Sequence, residues 1–113
     1  MPRLEKDIRR EIVNFLRDII GASVWDTEQG YRSSKGGARV TAGLPDLVVF
    51  LATPDTMHFY VEVKSAKGKL RPAQIEFQKC CLEADVGYLV ARDVREVWDF
   101  LAFLGVIESA DNQ

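Results

Sequence analysis

Cysteine and histidine are scarce in this 113-residue chain, which has two Cys, adjacent at Cys80 and Cys81, and one His, His58. Neighbouring cysteines do not readily close an ordinary disulfide, and one histidine cannot complete a zinc set with them. They read as a buried or half-buried thiol pair on a helix, and His58 as a strand residue near a turn. Long hydrophobic runs are also missing. Nothing approaches the roughly 20 apolar residues of a membrane span, and the charged N-terminus lacks the pattern of a signal peptide. The expected setting is intracellular and cytoplasmic, with no membrane partner. No repeat or low-complexity tract interrupts the chain. A dominant charge is absent as well, since the net charge is −2, which argues against a generic basic nucleic-acid binder. What is present is 47% apolar residues and a mean hydropathy near zero, enough for one core and one domain over residues 1–113.

The most informative stretch is 43–64, GLPDLVVFLATPDTMHFYVEVK. Two runs rich in β-branched and aromatic residues, 47–51 and 59–64, flank a turn carrying Pro54 and Asp55, so a β-hairpin is predicted. Side chains two apart share a strand face, which puts Glu62 and Lys64 together and Val61 and Val63 on the other side. A turn centred near residue 55 sets Asp46 opposite Lys64 and Val48 opposite Glu62. Asp46 and Glu62 are then diagonal neighbours, on the order of 7 Å apart. Two carboxylates that close repel unless a cation lies between them, and an oxygen-seeking ion such as Mg²⁺ suits such a pair. Lys64 beside them can carry charge near a phosphate or an activated water. The plain alternative is a surface Asp at a strand start and a solvated Glu–Lys pair.

Charge is partitioned along the chain. Arg32, Lys35 and Arg39 stand in a stretch without acids, as do Lys64, Lys67, Lys69 and Arg71, whereas from residue 72 onward eight acids face Lys79, Arg92 and Arg95. The basic segments therefore flank the proposed site, where a phosphate backbone would lie. Residues 29–42 read as a long glycine-rich loop, either a linker or a surface for DNA, with Tyr31 available to stack and the basic residues to meet phosphates.

Elsewhere the 3.6-residue period dominates. Residues 3–20 read as a helix with Leu4, Ile8, Ile12, Phe15, Leu16 and Ile19 on one side and Gly21 as its stop. A short strand follows over 23–28, with Trp25 as a candidate core residue. Pro72 opens a helix over 72–84 whose stripe is Ile75, Phe77, Cys81 and Leu82. Residues 87–91 read as a buried central strand, and Asp93 caps a last helix, 94–105, whose apolar stripe is broad enough to meet another subunit. The order helix, strand, hairpin, helix, strand, helix predicts an α/β sandwich with a mixed, roughly four-stranded sheet, the last two strands parallel.

Pro45-Asp46 followed by Glu62-Val63-Lys64 resembles the PD-(D/E)XK nuclease superfamily. More narrowly, Gly43-Leu44-Pro45-Asp46 with a trailing Gln74 resembles the VRR-Nuc family, over nearly the whole chain. The resemblance implies the nuclease core of that superfamily and assigns catalysis to Asp46, Glu62, Lys64 and Gln74. Mg²⁺ or Mn²⁺ would be held by Asp46, Glu62 and the Val63 carbonyl, with Glu5 at the position of the family's helix-one glutamate. Glu11, nearly two turns on, is the alternative. Here the pair after Glu5 is Ile8-Arg9, where the family more often shows Ile-Gln. The ion would lower the pKa of a water and neutralise the attacked phosphate, while Lys64 orients that water or helps deprotonate it. Stand-alone relatives, often from phages, look like homodimers that cut branched DNA such as Holliday junctions, with no small-molecule cofactor. Two other readings remain: a non-catalytic nucleic-acid-binding module, and a restriction or repair nuclease acting on duplex DNA.

Overall fold

A computed structural model describes residues 3–27, 42–52 and 57–108. The proposed DNA contacts Tyr31, Arg32, Lys35 and Arg39, and the hairpin turn at Pro54-Asp55, lie outside the described residues. Among the described residues no helix is long and apolar enough to cross a membrane.

The elements run α1 (Glu5–Asn14), a π-helical continuation (Phe15–Ile20), β1 (Ser23–Asp26), β2 (Leu47–Leu51), β3 (Met57–Val63), α2 (Pro72–Glu83), β4 (Gly87–Ala91) and α3 (Val94–Phe103). The four strands form one sheet in the order β1-β2-β3-β4. β1, β2 and β3 are antiparallel neighbours, and β3 pairs with β4 in parallel after the α2 crossover. This is the expected mixed α/β sandwich.

Alternation along the strands builds the core. Leu47, Val49 and Leu51 of β2 and Phe59, Val61 and Val63 of β3 are buried on one face. Ile8, Ile12 and Leu16 from the first helix and Val97 and Leu101 from α3 complete that cluster. Phe100 of α3 packs on Phe59, with ring centroids 5.0 Å apart. The opposite face receives α2, where Phe77 meets Tyr60 edge-on at 5.1 Å and Tyr88 at 6.0 Å. Helices thus lie on both sides, and the sheet end between them is where α1 and α2 approach the same strand ends.

Several details differ from the sequence reading. The i→i+5 turns of the π segment rotate the helix face, so Ile19 points outward, and Val13 of α1 joins Ile12 in the core. Leu4, one residue before α1, is exposed too. Trp25 is 65% exposed, because β1 is an edge strand whose second face α2 does not reach. β4 is the other edge rather than a central strand, and only Ala91 of it is fully buried. Of the expected α2 stripe Cys81 is buried and Phe77 packs on the sheet, whereas Leu82 is 81% exposed and Ile75 is exposed, as is Cys80. Phe103 of α3 is also exposed, whereas Asp93 caps that helix as expected, accepting from the Glu96 N–H at 2.9 Å.

Candidate active site

The register of the hairpin defines the site. Leu47 pairs with Val61 and Val48 with Tyr60. Extending the ladder by one sets Asp46 opposite Glu62, so the expected register is two residues out. An even shift keeps every side chain on its face, and the two carboxylates come directly opposite each other instead of diagonal.

Asp46 sits at the bend before β2, and local sequence holds it there. Gly43 has φ +88°, and a Cβ on it would collide with the Ala73 carbonyl in the first turn of α2. Glycine thus lets the Gly-Leu-Pro-Asp turn lie against that helix. Pro45 is fully buried. Thr27, just past β1, clamps the turn from the other side: its hydroxyl donates to the Pro45 carbonyl at 2.7 Å, and its N–H to the Asp46 carbonyl at 2.9 Å.

Asp46, Glu62 and Lys64 are the buried charged residues of the described chain. Asp46 Oδ2 accepts from the Val63 N–H at 2.8 Å, and Oδ1 accepts from Arg9 Nη2 at 2.7 Å. Glu62 Oε2 accepts from Gln74 Nε2 at 3.0 Å and lies 3.6 Å from Lys64 Nζ. Glu62 Oε1 is buried with no hydrogen-bond partner. Burial, first, and then the charge of Asp46 push the Glu62 carboxyl up to about 8; Lys64 opposes the shift, and Glu5 adds a smaller push. Two crowded carboxylates, one with a bare buried oxygen, form an oxygen donor set of the kind that hard divalent ions take. Among the described residues no three His, Cys, Asp or Glu side chains group so as to hold a metal ion. Glu5 stands near enough to act on Glu62, and its carboxylate lies 4.0 Å from the Arg9 guanidinium. Glu11 is exposed and paired with Arg3.

Gln74 does double duty. Its Oε1 accepts from the Arg71 N–H at 2.7 Å, closing the first turn of α2, while its Nε2 holds Glu62. Both ends of the amide are engaged, and its contact within the site is with the Glu62 carboxylate. Lys67, Lys69 and Arg71 are exposed along the connection from β3 to α2, close in sequence to Lys64. Arg9 and Thr27 escaped the sequence reading. The Ile8-Arg9 pair is the one signal for the first; nothing local marks the second, because its partners lie 18 and 19 residues away.

Residues 4–94 match the family described as VRR-NUC domain. No curated protein and no solved structure matches the chain.

Proposed function

Because the chain belongs to the VRR-NUC family, a family of nucleases, we propose that it is a metal-dependent, structure-selective endonuclease that hydrolyses phosphodiester bonds of branched DNA such as Holliday junctions. One observation carries this reading: the buried Asp46–Glu62 pair, with the unpartnered Glu62 Oε1, beside the Lys64 ammonium.

Asp46, Glu62 and the Val63 carbonyl would hold Mg²⁺ or Mn²⁺, with Glu5 as a further acid at its edge. When bound, such an ion lowers the pKa of water and offsets charge on the attacked phosphate. The chain's own groups do the rest. Lys64 holds a positive charge beside Glu62, where it can steady the charge that develops on the phosphate oxygens and orient the attacking water. Gln74 fixes the Glu62 carboxylate, and the Val63 N–H fixes that of Asp46. Lys67, Lys69 and Arg71 offer phosphate contacts on the approach to the site. A homodimer with two-fold symmetry would bring two such sites to paired strands, as symmetric junction cutting needs.

Cleavage of labelled four-way junction, flap, single-stranded and plain duplex DNA tests the reading, with Mg²⁺, Mn²⁺ or EDTA, for the unaltered chain and Lys64→Ala. Metal-dependent cutting of branched DNA that the variant loses by a factor of about 100 or more is expected. Cutting of plain duplex alone would favour a restriction or repair enzyme. Binding without cutting in any lane would favour a non-catalytic module.

A further inference from the structure

The two oxygens of Asp46 are held very differently. Oδ2 takes the N–H of Val63, whose main chain belongs to the buried parallel ladder opposite Ala91 and cannot withdraw without opening the strand. Oδ1 takes Arg9 Nη2 at 2.7 Å, from a long side chain on a neighbouring helix that is 15% exposed. At Glu62, Oε2 serves Gln74 and Lys64, and Oε1 is bare. A divalent cation held by Asp46 and Glu62 would therefore compete with Arg9 for Asp46, whose other oxygen the Val63 N–H already engages. A guanidinium and a doubly charged ion on the same carboxylate of a buried site would repel each other strongly.

We propose that Arg9 and the divalent cation are alternative occupants of Asp46, so that Arg9 is a built-in cation whose displacement sets how tightly this chain takes up metal. The inference rests on the metal-dependent reading above. The guanidinium has somewhere to go. Arg9 also lines an open cleft of about 420 Å³ between the first helix and β1, with the bases Lys6, Arg10 and Arg17 and the acids Asp26 and Asp7, the latter already paired with Arg10 at 3.1 Å. Glu5, one turn before it on α1, is already 4.0 Å from Nη2. Exchange therefore moves Arg9 from a buried carboxylate towards an open cleft, where solvent and Asp26 can offset its charge, instead of stranding it in the core. In the metal-free chain the contact offsets the charge of Asp46; in the loaded chain the ion would do so.

Mn²⁺ titration followed by electron paramagnetic resonance, on the full chain without nucleic acid, tests this with no reference to activity. Arg9→Gln and Arg9→Met remove the charge while keeping much of the stem, and melting curves establish that each is folded. Both should bind Mn²⁺ about tenfold more tightly than the unaltered chain, or about 1.4 kcal/mol. Equal affinities would overturn the exchange while leaving the metal site standing. Weaker binding would overturn it too, since Arg9 would then be ordering Asp46 for the ion. No binding by any of the three chains would overturn the metal-dependent reading itself, and this inference with it. Should neither variant fold, ¹⁵N spectra of the unaltered chain decide: saturating Mg²⁺ should free the hindered Arg9 Nη groups, and unchanged signals would overturn the proposal.

Discussion

Glu62 is buried against a second carboxylate, and that placement ties stability to pH. Its folded-state pKa of about 8 lies above the 4.5 of an ordinary glutamate. Between those values the folded chain keeps a proton that the unfolded chain has released, so stability falls as pH rises through this window. Melting of the metal-free protein between pH 5 and about pH 8.5 should show that decline, and Glu62→Gln should flatten it. Identical slopes for both chains would mean that Glu62 does not titrate there. At this scale the sequence was informative where chemistry and period coincide. Asp46, Glu62 and Lys64 are charges in an apolar hairpin, and a charge on a strand buried in the core needs a reason. Arg9 looked like one more basic residue on a helix with five basic and four acidic groups through residue 18. Only its reach across 37 residues to Asp46 sets it apart.

Among the elements, the turn that delivers Asp46 depends on a glycine. Gly43 adopts a left-handed φ and touches the backbone of α2, so Gly43→Ala combines a disfavoured backbone with a collision. We expect a loss of at least about 2 kcal/mol in urea unfolding; an unchanged midpoint would show that the turn can shift away from Ala73. Helices and strands were legible because their periods are local properties of the chain. Their partners were not. The hairpin register came out two residues away from the expected one, since both registers bury the same faces and the pattern of side chains does not choose between them. The α2 stripe was right at Phe77 and Cys81 and wrong at Ile75 and Leu82, because the helix meets only part of the sheet and leaves those two in solvent. β4 is apolar yet lies at an edge, its side chains shielded by α2 and α3 in place of a fifth strand.

For the molecule as a whole, a net charge of −2 is compatible with DNA binding if the positive groups gather near the site. Lys67 and Lys69 are exposed on the connection that follows Lys64. Reversing both to Glu should weaken binding to a non-cleaved junction and reduce the slope of log affinity against log salt by about 2. Equal slopes would place phosphate elsewhere, and the basic cleft of the first helix would be the next surface to test. The sequence by itself determined the element order, the mixed sheet and the family, and singled out three charges in the hairpin, because alternation, helical period and motif spacing are written residue by residue; their burial is the structure's. Tertiary structure alone decided that Asp46 faces Glu62 directly, that Gln74 holds that glutamate, and that Arg9 occupies Asp46. Those contacts join α1, the turn before β2, β3 and α2. The energy of each depends on where distant segments meet, which no local pattern encodes.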